Sequence, residues 1–304
     1  MNNSGSTSNA GTSNAGSSSG AATTGGRHTA APLTPEADLS TYISTTLKGH
    51  GKKTLEEEVP VNYRPYLKTT PAKITQFDND VNAFVKKEVE REKKVSERQG
   101  SANAHTTPEL KFTDELQKLS TDHDLGYIGP CKNEPKTGGD LLCAVHVEHV
   151  KNGKTTKIFA VVQMKVAERF QGRGPVVNFS HTNPKLQLEL LAKEVIRRRA
   201  EFASDVDVLG AYGATFEERL VFMPLDEILE HYKGPQVDMT QEYRRKVTAD
   251  LLSKYGHSKS KGFLEEMVEY VEKRDAATSP GTSSPMKLDS GKNSPNAQHG
   301  NHPH

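Results

Sequence analysis

Tryptophan is absent from the 304 residues, and cysteine occurs only twice, at Cys131 and Cys143. The two thiols are too far apart for C-x-x-C spacing, so neither a zinc site nor a redox pair is expected, and a reducing compartment is the default. No apolar run approaches the length of a bilayer span, and "MNNSGSTSNA" lacks the charged and apolar parts of a secretory signal. The expectation is an intracellular protein, nuclear or cytoplasmic, with no membrane partner. An excess of either charge is missing as well. The 40 Lys and Arg residues against 39 Asp and Glu leave a formal net charge of +1, so no global field attracts a polyanion and any basic surface has to be local.

Apolar residues make up only 33% of the chain, and the two ends account for much of that deficit. Residues 1–33 are mostly Ser, Gly, Asn, Thr and Ala, with a near-repeat in "TSNAGTSNAGS"; residues 276–304 read "AATSPGTSSPMKLDSGKNSPNAQHGNHPH". Neither end has the apolar surface to offset the entropy of ordering it, so both are expected to be disordered tails. The Ser-Pro pairs are candidate phosphorylation sites, and the tails are candidate docking segments for protein partners. Between them, residues 34–104 read as a helical region and linker, and residues 105–275 as an α/β domain.

Several helices announce themselves by their caps. In "LTPEADLSTYISTTLKG" Thr34 stands as N-cap, Pro35 at the first helical position and Glu36 in the first turn; Thr107 and Pro108 repeat that start for 106–124. In 74–100, Ile74, Phe77, Val81, Phe84, Val85 and Val89 follow a helical stripe. Asn183 and Pro184 open the longest helical pattern, 181–206, with Leu186, Leu190, Val195 and Phe202 as its expected apolar face. "GYIGP" reads as a short strand, 207–232 as two strands around a turn near Glu217 and Glu218, and the segments at 240–256 and 261–273 as closing helices. The order predicts a small mixed central sheet flanked by helices.

The densest β-forming stretch is "GGDLLCAVHVEHVKNGKTTKIFAVVQMKVAE", Gly138 to Glu168. Asn152-Gly153 predicts a two-residue type I′ turn, which places Glu148 opposite Lys157, His146 opposite Phe159 and Leu142 opposite Gln163. Continued outward, Asp140 lies opposite Lys165. With side chains alternating faces, Asp140, Gln163 and Lys165 share one face at one end of the hairpin, and Leu141, Cys143, Val145 and Val147 form an apolar face on the other. A carboxylate, an amide oxygen and an amine so placed suit metal-assisted phosphodiester cleavage. Oxygen donors hold a hard cation such as Mg²⁺, and the amine stabilises charge on the phosphate.

At these residues the chain resembles the PD-(D/E)XK nuclease superfamily, through Gly139-Asp140 and "VVQMK" at Val161–Lys165. The form with glutamine in place of the second acid is similar to nuclease-like domains of Crinkler and mobile-element proteins. The resemblance implies a restriction-endonuclease-like core of order α-β-β-β-α-β and a nucleic-acid substrate. It also implies Mg²⁺ held by Asp140 and Gln163, with Lys165 as the catalytic lysine. Because Gln163 is neutral, an acid from the preceding helix, Glu115 or Glu109, is expected to complete the metal set. Arg169 and Arg173, on the Gly-rich stretch after Lys165, are the expected substrate contacts, with Lys185, Lys193 and Arg197–Arg199 as further basic residues.

Two other classes fit parts of the pattern. A non-catalytic protein-interaction module keeps the fold without the metal. A relic of a protein-kinase small lobe equates "IFAVVQMK" with the ATP-lysine strand and pairs Lys165 with Glu189 or Glu194, although nothing resembling the kinase catalytic loop or metal motif follows.

Overall fold

The computed structural model describes residues 43, 45–99, 109–132, 134–149, 153–166, 168–169, 175–176, 184–216, 218–231, 251–252, 254–255 and 261–278. The expected N-terminal tail and the expected C-terminal tail beyond Thr278 lie outside these, as do Thr34, Pro35, Glu36, Thr107, Pro108, Asn152 and Asn183; residues 276–278, expected as the start of that tail, end the last helix instead.

The elements follow in the order α1 (Leu55–Glu58), β1 (Lys68–Thr69), α2 (Pro71–Gln99), α3 (Glu109–Asp122), β2 (Tyr127–Pro130), α4 (Glu134–Thr137) and β3 (Leu141–Glu148). Then come β4 (Thr155–Val166), β5 (Glu168–Arg169), β6 (Pro175–Val176), α5 (Pro184–Glu201), β7 (Val206–Phe216), β8 (Arg219–Pro224), α6 (Leu225–His231) and α7 (Phe263–Thr278). The main sheet has six strands, ordered β1-β3-β4-β7-β8, with β2 also paired to β3. It is mixed: β2 and β4 each pair antiparallel with β3, β4 runs parallel to β7 across the α5 crossover, and β8 returns antiparallel.

The hairpin departs from the predicted register by two residues. Leu141 faces Val162, His146 faces Lys157 and Glu148 faces Thr155. The reason is the loop. The His149 N–H donates to the Lys154 carbonyl and the Gly153 N–H to the His149 carbonyl, each at 2.9 Å, so four residues rather than two make the connection. Gly153, at φ +64°, supplies the left-handed residue that closes it. A slip of two preserves which side chains share a face, because the pleat repeats every two residues.

Both faces of the sheet are buried. On one, Leu141, Cys143, Val145, Ile158, Val162 and Met164 meet α2 (Ile74, Phe77, Val81, Val85), α3 (Phe112, Leu116) and α7 (Phe263, Leu264, Met267, Val268, Val271). On the other, Leu142, Ala144, Phe159, Val161 and Tyr212 meet Leu188, Leu191, Ala192 and Val195 of α5, together with Ile43, Leu55, Val59 and Leu67. The segment 34–104, expected as a looser helical region, therefore supplies a strand and core residues to the same sheet. Of the expected apolar face, Val195 of α5 and Phe202 just beyond it are buried and Leu190 is half-buried, while the side chain of Leu186 lies outside the described residues; the inward stripe is completed by Leu188, Leu191 and Ala192. Leucines surround the first turns of this helix, and only the sheet decides which of them turn inward.

The C-terminal helix is fastened from several sides. Asp78 of α2 caps it, accepting the Leu264 and Glu265 N–H groups at 3.0 and 2.8 Å. Glu266 accepts the Phe222 N–H of β8 at 3.3 Å. Lys48 bridges Asp207 of β7 and Asp275 of α7 at 2.7 and 2.9 Å. Burial raises the carboxyls of Asp78 and Glu266 to about 7. Among the described residues no helix is long and apolar enough to cross a membrane.

Candidate functional site

Two glycines set Asp140 in place. Gly138 is left-handed at φ +68°, and a Cβ there would lie 2.8 Å from the Gln187 carbonyl oxygen and 2.9 Å from the Leu191 nitrogen, so the chain passes directly beneath α5. A Cβ on Gly139 would lie 2.5 Å from Val161. From that approach the Asp140 N–H donates to Val162 at 2.8 Å, and its carbonyl accepts the Cys131 N–H at 2.7 Å.

With the corrected register Asp140 stands opposite Gln163, not Lys165. Its Oδ2 accepts the Gln163 Nε2–H at 2.5 Å and the Met164 backbone N–H at 2.7 Å. Gln163 also donates to the Met164 carbonyl at 3.3 Å. Lys165, two residues further along β4, is on the same face, and in the parallel ladder Gln163 lies beside Tyr212 and Lys165 beside Ala214. The rim expected from the sequence is an interior position: Gln163 is 1% and Lys165 3% exposed, while Asp140 is half-buried. The Gln163 Oε1 is buried and accepts no hydrogen bond among the described residues.

The other expected participants are elsewhere. Glu115 sits on α3, whose inward residues Phe112 and Leu116 pack on the sheet face away from Asp140; its carboxylate lies 3.3 Å from Lys118. The sheet therefore separates Glu115 from Asp140. Among the described residues no group of three or more His, Cys, Asp and Glu is arranged to hold a metal ion. Arg169 is in β5, paired with Pro175; its side chain, all of Arg173 and the side chain of Lys185 lie outside the described residues.

The arginine run of α5 is consumed by the fold. Arg199 is buried and donates to the carbonyls of Val208 at 2.9 Å and Ile43 at 3.0 Å. Arg198 reaches Glu194 at 2.7 Å and Glu58 at 2.5 Å, and lies over the Phe159 ring. Arg197 holds Glu194 at 2.6 Å and also pairs with Glu201. Although burial opposes ionisation of Glu194, these two guanidiniums keep its carboxyl below the ordinary glutamate value. The kinase-like pairing thus finds Glu194 held by arginines and Glu189 beside Lys193 at 4.0 Å.

His146 shares the face of Asp140, but six residues along β3 separate them, roughly 20 Å of strand. It is flanked by Lys68 and Lys157 on the neighbouring strands. Burial, then Lys157, holds its ring below the ordinary histidine value.

Lys132 and Lys136, both exposed on the connection leading into Asp140, are not among the basic residues expected from the sequence. Their signal was "CKNEPKTGGD", a turn-rich stretch with two lysines directly before the carboxylate. Compared with protein-family models, curated proteins and solved structures, the chain matches none.

Proposed function

We propose that the chain is a metal-dependent phosphodiesterase acting on nucleic acid through a PD-(D/E)XK-type site of Asp140, Gln163 and Lys165. The observation that carries the reading is the 2.5 Å contact between Asp140 and Gln163, with Lys165 next on the same face. The order α3-β2-β3-β4-α5-β7, with three antiparallel strands and a parallel fourth, supports the restriction-endonuclease-like core.

A cation fits the donor set in part. The Asp140 carboxylate and the orphan Gln163 amide oxygen are hard oxygen ligands, and Mg²⁺ is commonly held by one or two carboxylates with water and substrate phosphate making up the rest. Asp140 and Gln163 would hold it, without Glu115. Bound Mg²⁺ supplies an acidified water and neutralises charge on the scissile phosphate. Gln163 and the Met164 N–H orient Asp140, the Gly138-Gly139 approach fixes its backbone, and Lys165 brings a positive charge to the phosphate.

A second reading, a nuclease-derived nucleic-acid-binding or protein-interaction module without catalysis, draws on the position of Glu115 and on the Asp140 oxygen already taken by two donors. Cleavage of single-stranded and duplex DNA and RNA with Mg²⁺ or Mn²⁺ separates the two. On the catalytic reading Lys165→Ala lowers the rate about 10²–10³-fold, while Glu115→Ala leaves it within about twofold. A wild type that cuts none of these substrates with either metal removes the catalytic reading and leaves the binding one.

A further inference from the structure

We infer that the β2–β3 connection is the phosphate-contacting rim of this site, with Lys132 and Lys136 meeting the nucleic-acid backbone. This rests on the proposal that Asp140, Gln163 and Lys165 form a phosphodiesterase centre.

A chain with net charge +1 has no global field for a polyanion, so contacts at the site have to supply the attraction. The arginines of α5, the obvious candidates, are turned to Glu58, Glu194, Glu201 and two buried carbonyls, and releasing them would leave buried carboxylates without partners. Lys53 is likewise paired with Glu58.

Lys132 and Lys136 differ on each count. Both are exposed, and neither is in an ion pair among the described residues. Lys132 directly follows Cys131, whose N–H is bonded to the Asp140 carbonyl at 2.7 Å, and Lys136 precedes Asp140 by four residues. The connection is anchored although its lysines are in no ion pair among the described residues. The Thr137 hydroxyl lies 3.3 Å from the Cys131 sulfur and accepts the Gly139 N–H at 3.4 Å, and Gly138 is wedged against α5. Two exposed amines on a fastened segment whose backbone is bonded to that of Asp140 suit contact with a phosphodiester chain, to which lysine offers a point charge without base selectivity.

The test measures the salt dependence of binding by the full chain to labelled single-stranded and duplex DNA and RNA. Each phosphate contact contributes about 0.7–0.9 to the slope of log affinity against log salt, so Lys132→Gln/Lys136→Gln should flatten it by about 1.4–1.8. Lys93→Gln/Lys94→Gln, an equal charge change on the exposed C-terminal half of α2, should leave the slope within about 0.3 of wild type. Both doubles should melt like the wild type, because the lysines removed are exposed. An unchanged slope in the rim double with intact wild-type binding overturns the lysine assignment and leaves the proposed function standing. An equal loss in both doubles also overturns it, by making the effect one of general charge. A wild type that binds no nucleic acid overturns the assignment together with the function it rests on.

Discussion

At the scale of single residues, Gln163 decides what the site tolerates. Its amide N–H hydrogen-bonds the Asp140 carboxylate from a position 1% exposed, where a second carboxylate in contact with the first could not ionise alongside it. Gln163→Glu is therefore expected to destabilise the protein by about 2–4 kcal/mol at neutral pH in EDTA. Millimolar Mg²⁺ should recover part of that loss, as read by urea denaturation with and without the metal. No loss in EDTA would show that the contact does not bear on stability, and no recovery in Mg²⁺ would count against a cation between the two side chains. The shared face of Asp140, Gln163 and Lys165 was legible in the sequence because parity along a strand survives a slip of two. Their pairing was not, because Asn152-Gly153 fits a two-residue turn as well as the end of a four-residue loop.

At the scale of elements, α7 shows how burial writes a pH dependence into packing. Asp78 and Glu266 meet at its first turn, and Arg219 stands 3.8 Å from Glu266. Burial raises Glu266 to about 7, well above its unfolded value of about 4.3. The folded state consequently holds an extra proton between those values. This contribution to stability is fully present below the unfolded value and is lost as pH rises through about 7. Glu266→Gln keeps an acceptor for the Phe222 N–H and removes the titration. The advantage of the variant over wild type should grow by about 1–3 kcal/mol between pH 5 and pH 8, by urea denaturation at both pH values. Equal differences at the two pH values would exclude titration of Glu266 as the cause. The helices were readable from their periodicity, but the corner where α2, β8 and α7 meet was not. Asp78 and Glu265 are 187 positions apart, and nothing local marks an aspartate as the cap of a distant helix.

At the scale of the whole molecule, the sheet is covered on both sides. Alternation in β3 and β4 pointed to one polar rim and one apolar face, yet both positions of nearly every pair along these strands are buried. Val161 and Val162, neighbours with opposite orientations, belong to different cores. Val161→Ala and Val162→Ala should each cost roughly 1–3 kcal/mol in urea denaturation. A cost at only one position would mean that one face is wet. The second cover was illegible in the sequence because its parts are scattered: Ile43 and Leu55 from before the first long helix, Leu188–Val195 from the crossover, Ile228 and Leu251 from beyond the last strand.

The helix that completes the other cover is the last described element, Phe263–Thr278. During synthesis the strands therefore leave the ribosome long before Phe263, Met267 and Val271 arrive to shield them. A nascent chain in that interval has α2 and α3 on this face but not the third helix, so the part of the sheet that Phe263, Met267 and Val271 cover stays open to water until they arrive.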